Sequence, residues 1–256
     1  MKKLISLFFV ASLIVVGCAS ESLDYELEIT ETRTWSAQGI TQINATTENG
    51  DIIMSATQDT LITAEITRSC MGEDSTDAAG HIGNIEITDS MSGGGLTLTA
   101  DMPDNDDERD YRADFDMSAP QSIHVNLATV NGSIVVEDMT AGANIGVTNG
   151  SITTDNLQGG INGAIVNGTM DCDMALLAAT ESALLAGTNG DVTLSLPSDV
   201  SAQFDATTVN GTVTISGFPS VSYTINETNH KVGTIGAGDA TINISVANGD
   251  ITIRAR

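Results

Sequence analysis

Thr129-Val130-Asn131-Gly132-Ser133-Ile134-Val135-Val136 and, eighteen residues on, Val147-Thr148-Asn149-Gly150-Ser151-Ile152-Thr153-Thr154 are two copies of one pattern. Each runs through alternating residues to Asn-Gly, then a short polar residue, then alternating apolar positions. Asn-Gly recurs at Asn49, Asn131, Asn149, Asn167, Asn189, Asn210 and Asn248. From Asn131 the intervals are 18, 18, 22, 21 and 38. Midway along the last lies Asn229, followed by His230; His tolerates the left-handed region better than most residues, so this pair reads as a degenerate copy. The array then has seven consecutive units, and a fixed period of this length is the mark of a repeat architecture.

Aligned on the Asn, the third position after it holds Ile52, Ile134, Ile152, Met170, Val192, Val213 and Ile251. Two further on stand Met54, Val136, Thr154, Cys172, Leu194, Ile215 and Ile253. That alternation is a strand with one buried face. A weaker strand precedes the corner through Ala45, Leu127, Ile145, Gly163, Leu185, Ala206 and Ile244. Asn-Gly between strands is ordinarily a hairpin signal. Equivalent columns at near-constant spacing instead favour an all-β, parallel β-solenoid of rungs about 20 residues long, stacked at about 4.8 Å. A β-sandwich of short hairpins is the alternative. The Asn column shares parity with the inward positions before it, which predicts a buried ladder of Asn131, Asn149, Asn167, Asn189, Asn210, Asn229 and Asn248 with amides bonding along the stack.

The regular array spans about 122–256, and the stretch between Asn49 and Asn131 breaks its period. Leu61–Cys70, Asn84–Asp89 and Gly95–Ala100 read as strands, Met71–Ile82 as a short helix or loop, and Asp101–Asp116 as an acidic connection containing Pro103. Tyr25, Leu27 and Ile29 alternate with acids as a first strand or as part of a tether. Residues 30–256 form one elongated domain in this reading.

Before it, Lys2 and Lys3, an apolar run from Leu4 to Val16 and the small residues Gly17-Cys18-Ala19-Ser20 have the layout of an export signal, too short to cross a membrane comfortably. Val15-Val16-Gly17-Cys18 resembles the bacterial lipobox, which implies a signal peptide over 1–17, acylation of Cys18 and a tether over 18–29. The absence of Asp at the second mature position resembles sorting to an outer membrane. Loss of Lys2 and Lys3 leaves 7 basic residues against 34 acidic, taking the formal net charge from −25 to −27. Such a chain lacks the basic patch that nucleic acid requires, and anionic lipid repels it. Its contact with the membrane would run through the N-terminal lipid.

Glu31-Thr32-Arg33-Thr34-Trp35, Asn49-Gly50-Asp51-Ile52, Arg68-Ser69-Cys70, the alternating run from Ile123 to Gly132, and the closing Val246-Ala247-Asn248-Gly249-Asp250-Ile251-Thr252-Ile253-Arg254 resemble a bacterial domain-of-unknown-function family of β-strand-repeat proteins labelled putative adhesins. The resemblance covers almost all of the chain after the signal. It implies an exported solenoid-like domain and the adhesin label; location and architecture together point to a non-enzymatic surface for adhesion or scaffolding, with an envelope protein or glycan as partner.

The side chains that could carry chemistry are few. His81, His124 and His230 are scattered, without metal-ligand spacing, and His124 is expected on an exposed face. No nucleophile motif is present, and no cofactor or metal site is called for. Cys172 shares the inward column, so it and Cys70 read as buried thiols, with a disulfide between them the alternative an oxidising envelope would allow. Asp191 and Asp250 share an outward column, but consecutive stacking puts them three units and about 14 Å apart, too far for a glycosidase pair. Asp171 and Asp173 flank Cys172 as a solvated edge. Asp101, Asp104, Asp106, Asp107, Glu108 and Asp110 form either a mobile acidic loop or a Ca2+-attracting one. A polysaccharide-cleaving enzyme on the same frame and a periplasmic sensor or accessory protein are the competing functions.

Overall fold

The computed structural model describes residues 23–103 and 109–256. It is all-β. In chain order the strands are β1 (Tyr25–Ser36), β2 (Gln42–Asn49), β3 (Ile52–Thr57), β4 (Leu61–Gly72), β5 (Glu86–Ser92), β6 (Gly95–Asp101), β7 (Tyr111–Pro120), β8 (His124–Glu137), β9 (Ala143–Gln158) and β10 (Ile161–Leu176). There follow β11 (Ser182–Asn189), β12 (Val192–Leu196), β13 (Ala202–Asn210), β14 (Val213–Ser216), β15 (Val221–Asn226), β16 (His230–Ile235), β17 (Ala240–Asn248) and β18 (Ile251–Ala255). The α-helix α1 (Ser75–His81), followed by a 3-10 turn at Ile82–Asn84, starts where the Asp74 side chain accepts the Thr76 and Asp77 amides, as an N-cap should.

Each Asn-Gly divides a rung into two strand segments, before and after the corner. In β8, β9 and β10 the strand passes through the corner unbroken, and the segments lie parallel in register, Leu127 on Ile145 on Gly163 before it and Ile134 on Ile152 on Met170 after it. The two halves fold toward each other: a Cβ placed on Gly163 would meet the sulfur of Met170, seven residues on, at 2.9 Å. Their inward columns form one continuous core, in which Ile43, Leu127, Ile145, Leu185 and Ile244 from the first half join Ile52, Ile134, Ile152, Leu194 and Ile253 from the second.

The strand order departs from the expected parallel solenoid. The rungs are not consecutive: β11 and β12 pair with β17 and β18, which pair in turn with β13 and β14. The C-terminal rung is therefore inserted between the Asn189 and Asn210 rungs. The Asn229 unit is not a rung at all, because β16 runs antiparallel to both β13 and β15 and makes a hairpin on that end. At the other end β4 is antiparallel to β1 and β7, and β5 to β6. The pairing is thus mixed, parallel in the middle and antiparallel at both ends.

Two segments differ from their sequence reading. Tyr25–Ile29 lies in β1, paired with β4 from Tyr25 opposite Gly72, so the strand begins within the stretch assigned to a tether. Tyr111–Asp116, read as the end of an acidic connection, belongs to β7, where Tyr111, Ala113, Phe115, Met117 and Ala119 all point into the core.

Candidate functional site

The corner is built from three adjacent columns. In the first, Asn131 Nδ2 donates to Asn49 Oδ1 at 2.7 Å, and the chain of amides continues through Asn149, Asn167 and Asn189 at 2.8 Å each. Asn248 then donates to Asn189 at 2.9 Å, and Asn210 to Asn248 at 2.7 Å. Asn229 stands outside this ladder, its Nδ2 donating to the Thr208 carbonyl. The ladder is also exposed rather than buried. Pairing keeps its eighteen-residue offset through the corner, but the bridge between Val130 and Thr148 is skipped between Thr129–Val147 and Asn131–Asn149. The inward positions pass from odd numbers (Leu127, Thr129) to even ones (Ile134, Val136) across the corner, and this change of parity leaves Asn131 outward.

The second column is glycine, and its need is steric. Gly150 has φ +149°, and a Cβ there would sit 1.8 Å from the Gly132 carbonyl oxygen below. No side chain fits where successive backbones approach so closely. Beneath it, Thr129 Oγ1 donates to the Gly50 carbonyl at 2.9 Å and Thr208 Oγ1 to that of Gly249 at 2.8 Å, so these buried hydroxyls are satisfied.

The third column holds short polar residues that cap backbone amides. Asp51 Oδ1 accepts the Ser133 N–H at 2.7 Å, Asp191 Oδ1 that of Asp250 at 2.8 Å, and Asp250 Oδ1 that of Thr212 at 2.7 Å. Asp191 and Asp250 are therefore on neighbouring rungs, not three units apart, and the separation that argued against a carboxylate pair does not hold. Their function in the structure is different: an oxygen of each is committed to the next rung's amide, as Asp114 and Asp51 do at the other end. There Arg112 lies 2.7 Å from Asp51 and 2.8 Å from Asp114, and hydrogen bonding to Asp114 first, with charge from both, raises its pKa further.

The remaining candidates are dispersed. Cys70 and Cys172 are both buried, with no disulfide between them. Burial, with the charge of Asp171 adding to it, pushes the Cys172 thiol up to about 12. His81 bonds the Asp77 carbonyl on α1, His124 Nδ1 donates to the Ala141 carbonyl, and His230 Nε2 lies 3.1 Å from Asp205. His124 is half-buried rather than exposed. Asp173 pairs with Arg256. Among the described residues no three His, Cys, Asp or Glu side chains gather as metal ligands. Of the acidic run, Asp104, Asp106, Asp107 and Glu108 lie outside the described residues, and Cys18 with the signal segment does too. No described helix is long and apolar enough to cross a membrane.

What the stack does present is a groove of about 650 Å³ on the outer face of its first half. Its floor is the column three residues before each corner Asn, including Ala128, Gly146, Ala164 and Ala186. One wall is the column just before the Asn, with Val130, Thr148, Val166 and Thr188. Beyond the floor runs a second amide ladder that the corner alignment missed: Asn144 Nδ2 donates to Asn126 Oδ1 at 2.6 Å, and Asn126 to Asn44 at 2.9 Å. Asn44, Asn126, Asn144, Asn162 and Asn243, five residues before each corner, would have shown it as another aligned column.

An all-β repeat domain with polar ladders outside and an aliphatic core inside is the class these features define. The chain belongs to the Toastrack DUF4097 family, whose model matches residues 38–254. No curated protein matches it. Among solved structures it is similar to a putative cell adhesion protein from Clostridium sporogenes, with 14% identity, coverage of 89% of this chain and 99% of that one, and a TM-score of 0.57, a likeness of fold. A putative adhesin from Bacteroides fragilis aligns more loosely, with 10% identity, coverage of 89% and 97%, and a TM-score of 0.34.

Proposed function

We propose that this protein is a lipid-anchored, non-enzymatic binding module of the bacterial cell envelope, an adhesin or interaction scaffold. In this reading the central rungs are a short parallel β-solenoid and their outer face is the binding surface. Cys18 carries the acyl anchor, and the partner is an envelope protein or glycan. The observation that carries the reading is the groove, which runs across successive rungs and is lined by neither acids nor bases in a chain of net charge −25. A catalytic alternative would need free, convergent side chains. The adjacent acids Asp191 and Asp250 instead serve as caps of the stack.

The test combines labelling with protease shaving. Cells fed radiolabelled palmitate should incorporate it into the chain, and Cys18→Ser should abolish the label. External protease on intact cells should remove the protein. Protection from protease would contradict an outward-facing adhesin, and label persisting in Cys18→Ser would contradict the anchor.

A further inference from the structure

The outer face of the first half is anomalous in two respects. On the five central rungs (corner Asn131, Asn149, Asn167, Asn189 and Asn248) the outward positions before the corner carry no Asp, Glu, Lys or Arg; acids return only at Glu48 on one flank and Asp205 on the other. On this face Val130, Val166 and Leu184 are 41%, 42% and 42% exposed. The second anomaly is the floor. Alanine and glycine are poor strand formers, and an outward strand position ordinarily takes a β-branched residue, as the neighbouring wall does. At Gly146 nothing within the fold demands the absence of a side chain. A Cβ on Gly146 would meet nothing within 4 Å, and its φ is not in the left-handed region. A strand glycine with no internal reason marks the close approach of something outside.

We propose that this face is a self-association surface, on which two copies of the chain pack face to face. The wall and the floor are adjacent columns, both repeating at the rung pitch of about 4.8 Å. A two-fold axis in the plane of the face, parallel to the stack and midway between the columns, sets Val130 and Val166 of each copy over Ala128 and Ala164 of the other. The contact is self-complementary, as an isologous interface must be. A second copy has the same pitch by construction, so the ridge residues Val130, Thr148, Val166 and Thr188 each meet a trough position, and the Asn248 rung continues the face with the small residues Ser245 and Ala247. A charged partner of either sign would gain nothing here, whereas this is where two acidic chains touch without bringing charges together. Five rungs by three outward positions make a face of about 500 Å² per copy, or about 1,000 Å² in total, at the lower limit for a specific interface. The dimer is accordingly weak. The inference names the partner for the binding face in the adhesion reading and rests on that reading only there; Cys18→Ser could fail its test and leave the outcome below unaffected.

The experiment is sedimentation equilibrium of the purified full-length chain in density-matched detergent, from about 10 μM to about 1 mM, a range that brackets weak association. A monomer–dimer equilibrium is expected, tightening as salt screens the repulsion between two bodies of like charge. Ala164→Arg should abolish it with an unchanged circular dichroism spectrum. Gly146→Val should abolish it too while raising the thermal midpoint, a combination that a merely structural role for Gly146 would not give. Asp171→Arg, on the outer face of the second half, should leave it intact. A monomer throughout, a dimer that survives Ala164→Arg and Gly146→Val, or an association weakened by salt would each overturn the proposal.

Discussion

The three rungs of β8, β9 and β10 and the three at the C-terminal end use the same corner chemistry in different orders. In the middle, Asn131, Asn149 and Asn167 stack in the sequence in which they are made. Toward the end the spatial order is Asn189, Asn248, Asn210, yet the amide bonds there are as short as those in the middle. Corner chemistry therefore sets the shape of a rung and its register on a neighbour, but not which neighbour it has. In the C-terminal part that choice comes from β15 and β16, whose hairpin occupies the outer edge of β13 and leaves its inner edge for the last strand pair. The middle can grow locally. The end must wait for the last residues of the chain, since a rung made around Asn210 has no parallel neighbour until β17 and β18 arrive.

Deleting residues 240–256 should break this contrast most severely. It removes the buried side chains of Ala240, Ile242, Ile244, Val246, Ile251 and Ile253. At about 1.5–3 kcal/mol for each of the larger ones the loss is about 10 kcal/mol, comparable with the whole stability of a domain. Limited proteolysis should find β11 to β16 cut rapidly while fragments containing β8 to β10 persist longer. Equal loss of protection in both regions would show that the middle depends on the end as much as the end on itself.

Two glycines four residues apart on β9 give the next largest effect. Gly150→Ala drives a Cβ into the Gly132 carbonyl and should cost about 3–5 kcal/mol, in the range reserved for backbone strain and overpacking. Gly146→Ala, with open space around its Cβ, should be neutral or stabilising by up to about 1 kcal/mol. Urea denaturation of the pair measures the difference. A cost at Gly146 equal to that at Gly150 would refute the steric account of the corner.

Within the ladder, Asn149→Ala removes one amide bond given and one received, at about 0.5–1.5 kcal/mol each in net stability. Asn229→Ala, outside the ladder, should cost less. The same denaturation measurement ranks them, and equal costs would mean that the exposed amides contribute no more to the stack than an isolated surface contact.

The legibility of the molecule follows the same division. Columns three and five residues after each Asn were readable because Ile134, Ile152 and Ile251 occupy equivalent environments, and equivalent environments leave equivalent residues. Rung order was not readable, because every rung offers its neighbours the same pattern of edges; the insertion of Asn248 between Asn189 and Asn210 undid the distance argument for Asp191 and Asp250. Strand β7 was hidden by its outward residues. Arg112, Asp114 and Asp116 made it resemble the acidic connection before it, although Tyr111, Ala113, Phe115 and Met117 alternate as a strand should. Exposure of the ladder was missed because parity assumes one unbroken alternation, whereas the inward positions switch from Thr129 to Ile134 across the corner. The groove lay in columns that alignment on the corner did not weigh, and only the open space around Gly146 shows that the fold does not require a glycine there.

The effect confined to alkaline pH concerns Cys172, a polar exception within the regular middle. Its thiol is buried, and desolvation of the thiolate, with the nearby charge of Asp171, raises its pKa from 9.0 to about 12. In the unfolded chain the group ionises near its ordinary value; in the folded chain it stays neutral. Stability from this group is complete below about pH 9 and is lost as pH rises toward about 12, by at most about 1.4 kcal/mol per unit. Urea midpoints of the wild type and Cys172→Ala should therefore converge between pH 8 and about pH 11, whatever the fixed cost of the cavity. Ellman's reagent offers an independent check, with no reaction in the native chain at pH 8 and two thiols from Cys70 and Cys172 on unfolding without reductant, Cys18 being acylated or replaced by Ser. Absence of both thiols on unfolding would instead reveal a disulfide, and a midpoint difference that does not change with pH would mean that Cys172 ionises within the fold.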